Sequence, residues 1–234
     1  MIVTDRLTLV PATVALARAE IGDRAEFARL LEAAVPDHWP PESAADALPL
    51  FLSWLEAAPD RIGWFGWYAL ARVGDADRPA LVGGGGFLGP PQGRTVQIGY
   101  SVLPEFQRRG YATEMVAGLV RWALARSGVD SIAAETEWAN PASVRVLEKV
   151  GFTPVGSASE PGGARFELRG KARIDETKSH RASTRRQVRG LAGGVASAAE
   201  MGRLTHAEVG RRERHTRRGE RRRVCAQTKE GRRG

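Results

Sequence analysis

The chain has 234 residues, 42% of them hydrophobic, and a formal net charge of +8, a size that suits one substantial α/β domain or a smaller domain with an appendage. No apolar run is long enough to span a bilayer, and MIVTDRLTLV carries Asp5 and Arg6 where a secretory signal would be apolar, so a cytoplasmic protein without a membrane contact is expected. The single cysteine, Cys225, excludes an internal disulfide framework and a cysteine-based zinc site.

TDRLTLVPA reads as a first strand, with Leu7 and Leu9 in period-two alternation. Residues 13–34 read as helical with a break near Ile21 and Gly22. A proline-bounded loop then leads to a helix that places Leu48, Phe51, Leu52 and Leu55 on one face. WFGWYALAR and ALVGGGGFLG are apolar strands joined by the turn-rich GDADRP, and PPQGR is a second turn before the strand TVQIGYSVL. A helix over 110–127 follows, then the strand SIAAETEW, a helix over 141–150, and late strands around GFTPVG and ARFELR. An antiparallel meander that enters βαβα units predicts a mixed α/β sheet with helices on both faces.

The character of the chain changes after RFELRG. Residues 171–234 hold 19 Lys/Arg and 7 Asp/Glu, a net of +12, which leaves 16 basic and 20 acidic residues, a net of −4, in residues 1–170. The tail has no Phe, Trp or Tyr, and only residues 195–204 hint at a short helix, so its composition predicts disorder in isolation. Residues 1–170 are therefore read as one domain and 171–234 as an Arg-rich low-complexity tail. That tail is either a weak contact for nucleic acid or acidic surfaces, or a non-native extension.

Two patterns mislead. Gly84-x-Gly86-x-x-Gly89 has the letters of a dinucleotide fingerprint, but it lies within a strand and Pro90-Pro91 follow it where a helix is required. Of the histidines His38, His180, His206 and His215, three fall in the tail, and no metal-ligand spacing or G-x-S-x-G elbow accompanies His38. No metal is expected. His38 and Trp39 are read as packing in, or lining a pocket beside, a helix-linking loop.

The segment PEFQRRGYATEMV carries the chemistry. Behind the strand ending at Pro104, Gln107, Arg108, Arg109, Gly110, Tyr111 and Ala112 open a helix whose buried face is Met115, Val116, Leu119, Val120, Ala123 and Leu124. Unpaired amides at a helix start, a glycine that permits close approach and two arginines fit an anion site suited to a phosphate or pyrophosphate, and the residues alone fit equally a plain turn made by Gly110. Further on, Asn140-Pro141 reads as an N-cap and N1 pair, with Gly151 ending the helix.

IGYSVLPEFQRRGYATE followed by ETEWANPASVRVLEKVGF resembles the two signature regions of the GNAT superfamily of acetyl-CoA-dependent N-acetyltransferases. TDRLTL and NPASVRVLEKVGF are similar to its RimJ/RimL-like branch, which acetylates ribosomal-protein N-termini, and the resemblance runs from about Asp5 to Leu168. It implies a GNAT fold, with a mixed, mostly antiparallel sheet containing a splayed strand pair. It also implies that Gln107, Arg108, Arg109, Gly110, Tyr111 and Ala112 cradle the CoA pyrophosphate. The backbone at Ser101, Val102 and Leu103 would pair with the pantetheine arm, Asn140 would contact it, and Ser143 would stand near the CoA sulfur.

The implied reaction is direct attack of a neutral amine on the thioester, with a backbone amide such as that of Val102 polarising the carbonyl. Many relatives place Glu just before I-G-Y, where this chain has Gln97, which can orient a water but cannot titrate. Many carry a Tyr acid at the place of Leu147, so Ser143 is the candidate for assisting the thiolate. Glu135 and Glu137 are candidate substitutes for the base, and Tyr100 is assigned to packing. The acceptor is expected to be a protein N-terminus or a small-molecule amine, and the protein a monomer or homodimer. A non-catalytic acyl-CoA-binding or RNA-associated protein on the same fold is the alternative reading.

Overall fold

Eight strands form one sheet in the order β1-β2-β3-β4-β5-β6-β8-β7, and the computed structural model describes residues 1–72 and 77–170. The tail beyond 170, with Cys225 and three of the histidines, and part of the turn read at 74–79 lie outside the described residues. The strands are β1 (Ile2–Val3), β2 (Leu7–Pro11), β3 (Gly66–Ala71), β4 (Ala80–Phe87), β5 (Thr95–Val102), β6 (Ser131–Glu137), β7 (Thr153–Ser157) and β8 (Gly163–Arg169). Every neighbouring pair is antiparallel except β5 and β6. That parallel pair requires a crossover, which the helix Tyr111–Leu124 supplies.

The helices are α1 (Val14–Gly22), α2 (Arg24–Leu31), α3 (Glu42–Ala45), α4 (Leu48–Ala57), α5 (Tyr111–Leu124) and α6 (Pro141–Val150). The break read near Ile21 and Gly22 falls at Asp23. Its extended backbone (φ −148°) ends α1, and its carboxylate accepts from Glu26 N at 3.0 Å to start α2. The first strand begins later than its alternation suggests. Thr4 N donates to Leu7 O at 2.9 Å, so Thr4, Asp5 and Arg6 make a turn between β1 and β2.

Both faces of the sheet are covered. Along β3, Trp67, Ala69 and Ala71 enter the core under α5 and α6, whereas Tyr68 and Leu70 enter the core under α1, α2 and α4. This explains why β3 reads as a continuous apolar run. On α5 the predicted stripe is present: Met115, Val116, Leu119 and Ala123 are fully buried, while Leu124 is half-buried. Trp122 of α5 stacks on Phe87 at 5.7 Å, meets Trp64 and Trp67 edge-on, and carries the Arg126 guanidinium 3.3 Å from its ring centre. Of the α4 face, Leu55 is buried and Leu48, Phe51 and Leu52 are half-buried, so this helix lies at the margin of its core.

The glycine run of β4 lies within the strand, which is why it cannot serve as a dinucleotide turn. Close backbone approach demands it: a Cβ on Gly86 would meet Phe65 O at 2.0 Å, and one on Gly83 would meet Ser101 O at 2.4 Å. Gly86→Ala is therefore expected to cost about 3 kcal/mol, at the upper end for overpacking, seen as a lower urea midpoint. An unchanged midpoint would mean that β3 and β4 can part there without loss. Leu119→Ala empties a fully buried position and is expected to cost about 2–5 kcal/mol in the same titration.

Candidate functional site

The parallel β5–β6 ladder stops early. Its pairs run from Thr95↔Ser131 to Ile98↔Ala134 and no further, although β5 continues to Val102 and β6 to Glu137. Beyond that point β5 stays paired with β4 through Val102↔Gly83, and β6 with β8 through Glu137↔Gly163. A wedge therefore opens in the middle of the sheet. In an antiparallel pair a residue's N–H and C=O point the same way and alternate along the strand. Leu103 N bonds Val82 O and Gln97 O accepts from Leu88 N, so the odd-numbered groups face β4. The amides of Tyr100 and Val102 consequently face the wedge.

The start of α5 lies at the mouth of this wedge. A 3-10 turn at Pro104–Phe106 leads into Gln107, whose side-chain amide donates to Val102 O at 2.9 Å. Arg108 (φ 60°) and Gly110 (φ 83°) are left-handed, which bends the chain into a concave loop before Tyr111. No side chain caps α5, and the acid of its first turn, Glu114, is bonded to Thr4 and Arg6 instead. Its first amides thus lack carbonyl partners within the helix. Arg108 and Arg109 are exposed beside them. A phosphate-bearing ligand fits this cradle: it needs donors, positive charge and room for close approach, and all three are present.

The start of α6 differs. Asn140 Oδ1 accepts from Ser143 N at 3.1 Å, Pro141 occupies the first turn, and Gly151 ends the helix in the left-handed region. Leu147 is fully buried in the core. Ser143 Oγ lies 2.9 Å from Tyr100 Oη, and that phenol also donates to Ser143 O at 3.2 Å. The Tyr100 ring packs on the core, as expected, but its hydroxyl reaches the one side chain expected near the sulfur. Burial raises the phenol's pKa, partly offset by the Ser143 contact, so Tyr100 stays protonated through neutral pH.

Gln97 and Glu135 occupy the other face. Ile98 and Tyr100 of β5 and Ile132 and Ala134 of β6 belong to the α5 side, so alternation puts Gln97 and Glu135 on the opposite side, beside the broken ladder. The Glu135 carboxylate accepts from Ser159 Oγ at 2.6 Å, Ser159 N at 3.2 Å and Arg165 at 3.0 Å. Burial pushes its pKa up, but those bonds and the Arg165 charge outweigh it and hold the carboxyl below its ordinary value. Glu137 is exposed at the strand end.

A second carboxylate on this side escaped the reading of the sequence. Glu20 of α1 accepts from Trp39 Nε1 at 2.8 Å and from Tyr68 Oη at 2.6 Å. Burial raises its pKa further than those two bonds lower it. The spacing from buried Leu16 to Glu20 is one helical turn, which could have marked an acid on an apolar stripe. Trp39 packs against Gly84, which pairs with Ser101 of the wedge strand, and His38 bonds Glu105 at 2.8 Å next to the α5 loop. The loop carrying His38 and Trp39 therefore reaches the wedge from the helical side. Among the described residues no three His, Cys, Asp or Glu side chains converge as a metal site, and no helix is long and apolar enough to cross a membrane.

The profile of the acetyltransferase (GNAT) domain matches residues 6–153. The chain is 31% identical over 150 residues to YjdG of Bacillus subtilis (strain 168), described as an uncharacterized N-acetyltransferase; the match spans 64% of this chain and 87% of that protein. Among solved structures, a Vibrio cholerae protein assigned as a ribosomal-protein-serine acetyltransferase superposes with a TM-score of 0.50 at 19% identity, over 72% of this chain and 97% of that one. A spermidine N-acetyltransferase chimera of Vibrio cholerae SpeG and hSSAT gives a TM-score of 0.50 at 16% identity, over 70% and 96% of the two chains. With the profile covering more than half the chain, this protein belongs to the GNAT acetyltransferase family and is an acyltransferase built around a split β5–β6 ladder.

Proposed function

We propose that the chain moves the acetyl group of acetyl-CoA to a primary amine by direct attack. The observation that carries this reading is the meeting, at one place, of the broken β5–β6 ladder and the uncapped start of α5. Acetyl-CoA supplies an activated carbonyl and a thiol leaving group. The amides of Arg108, Arg109, Gly110, Tyr111 and Ala112 hold its pyrophosphate, with the two guanidiniums adding charge and Gln107 tying the loop to β5. The wedge-facing backbone at Val102 and Tyr100 and the Asn140 amide hold the pantetheine arm, whereas the expected Ser101 and Leu103 backbone groups turn to β4, with Leu103 N on Val82 O. The inward-facing Val102 N–H is the donor that polarises the carbonyl.

The two faces of β5 divide the proton transfers. Ser143 serves the departing sulfur from the α6 side, with the protonated Tyr100 phenol behind it as a reserve donor. On the other face Gln97 orients a water that carries the amine's proton away. Glu135 is the weaker acceptor there, because Ser159 and Arg165 already satisfy its carboxylate. TDRLTL and NPASVRVLEKVGF support the RimJ/RimL-like branch, so a peptide α-amine is the first acceptor to try, ahead of small-molecule amines. Residues 1–170 suffice for this activity in the same reading.

Thiol release over a panel of peptides and small amines tests the reaction; no release with any amine, or no calorimetric binding of acetyl-CoA, would sink it. Ser143→Ala is expected to lower kcat by about 10²-fold, and Tyr100→Phe by about tenfold, with little change in the Kd for acetyl-CoA. If Tyr100→Phe matches the parent in kcat, its phenol only packs. Glu135→Gln is expected to cost about 1 kcal/mol of stability through the lost Arg165 and Ser159 bonds. Its kcat/KM profile from pH 6 to 9 should keep its shape, since a carboxyl held below its ordinary pKa does not titrate there; a displaced acidic limb would make Glu135 the base. Removing 171–234 should leave acetyl-CoA binding intact, and loss of folding would refute the domain boundary.

A further inference from the structure

We propose that Arg6 is a positioning residue for the anion loop, one that fixes the direction of the Gly110 amide toward a pyrophosphate. The inference rests on the reading of that loop given above. Arg6 stands in the turn between β1 and β2, more than a hundred residues from the loop in sequence, yet its guanidinium grips the loop at two points. Nη1 donates to Arg109 O at 2.8 Å, while Nε donates to Glu114 Oε2 at 2.8 Å and Nη2 lies 2.7 Å from that same oxygen. The guanidinium also lies 5.0 Å from the centre of the Tyr111 ring.

The first grip has a geometric consequence. In a trans peptide the carbonyl oxygen and the following N–H point in opposite directions. Holding Arg109 O against the β1–β2 turn therefore turns Gly110 N–H to the other side. Gly110, at φ 83°, would otherwise let this peptide rotate with little steric resistance, and the rotated form would present a carbonyl oxygen to the ligand. Arg6 Nη2 also lies 3.1 Å from where a Cβ on Gly110 would stand, so the guanidinium backs the loop directly.

The second grip removes an electrostatic conflict. Glu114 is the acid in the first turn of α5, where its charge would repel an anionic ligand and compete with it for the helix dipole. Its carboxylate is turned to the Thr4 hydroxyl at 2.6 Å, Arg6 N at 2.7 Å and the Arg6 side chain. These bonds hold its pKa below the ordinary value despite partial burial, so it is a fixed, neutralised anchor and not a free charge. One arginine thus both sets an amide and balances a carboxylate, and Lys could supply the charge without the two-point grip.

Calorimetry with CoA, and the ratio of kcat/KM for acetyl-CoA to that for acetyl-pantetheine, which lacks the pyrophosphate and nucleotide, test the proposal on the full chain. Arg6→Gln and Arg6→Lys should each weaken CoA binding about tenfold or more and reduce the acetyl-CoA to acetyl-pantetheine preference by a similar factor. Thermal melts identify a variant that is simply unfolded, in which case the other variant decides. An Arg6→Lys chain that binds CoA as the parent does would overturn the positioning role, since charge alone would then suffice. Equal losses for both thioesters would overturn it too, because general damage does not distinguish them. A parent chain that shows no preference for acetyl-CoA over acetyl-pantetheine would instead sink the pyrophosphate reading itself, and the inference with it.

Discussion

The constraint on which the site depends is that β5 and β6 part after Ile98 and Ala134 while each remains paired on its outer side. A strand in mid-sheet normally satisfies its backbone on both edges, and unpaired inner groups are costly when buried. Here the amides of Tyr100 and Val102 are left facing a gap between two half-sheets. An extended ligand that can lie in the gap as a strand would do completes the ladder. The scaffold thus keeps an opening between its own central strands.

The two helices at that opening start in different ways, and the difference sorts their roles. The α6 start is closed upon itself by Asn140 and Pro141, which fixes Ser143 in the first turn within reach of Tyr100. The α5 start has no cap, and its acid is drawn away by the β1–β2 turn. A closed helix start holds a side chain still; an uncapped one offers its amides to a ligand. Both helices lie on one face of the sheet, whereas Gln97, Glu135 and the Trp39 loop approach from the other. The gap is where the two faces communicate.

The buried network of Glu20, Trp39 and Tyr68 belongs to the same division. It ties α1, the loop after α2 and β3 together on the face opposite α5 and α6. A carboxylate buried there with two neutral donors holds that loop in register more than it stores charge. Arg24 supports the loop from outside, donating to Val35 O at 2.7 Å. The loop that carries His38 and Trp39 is therefore held from inside by Glu20 and from outside by Arg24.

Local sequence determined a good deal. Periodicity marked α5 and α6, Asn140-Pro141 and Gly151 marked the ends of α6, and QRRGYA marked an uncapped, basic helix start, because these features depend on residues within a turn or two of one another. The expected cofactor and the role proposed for Ser143 rest on resemblance. What local patterns could not contain are contacts between residues far apart in the chain: Arg6 on Arg109, Glu20 on Tyr68, Tyr100 on Ser143, and Ser159 and Arg165 on Glu135. A single residue's type says whether it can donate or accept, and only packing says to whom. Tyr100 looked like core because its ring is core, and its hydroxyl gained a chemical partner once α6 was laid across β5. Sequence determined which helix starts could hold an anion or a cap; tertiary structure decided where the sheet parts and which distant side chains keep those starts aimed at the gap, because strand separation and long-range hydrogen bonds exist only when the whole sheet is assembled.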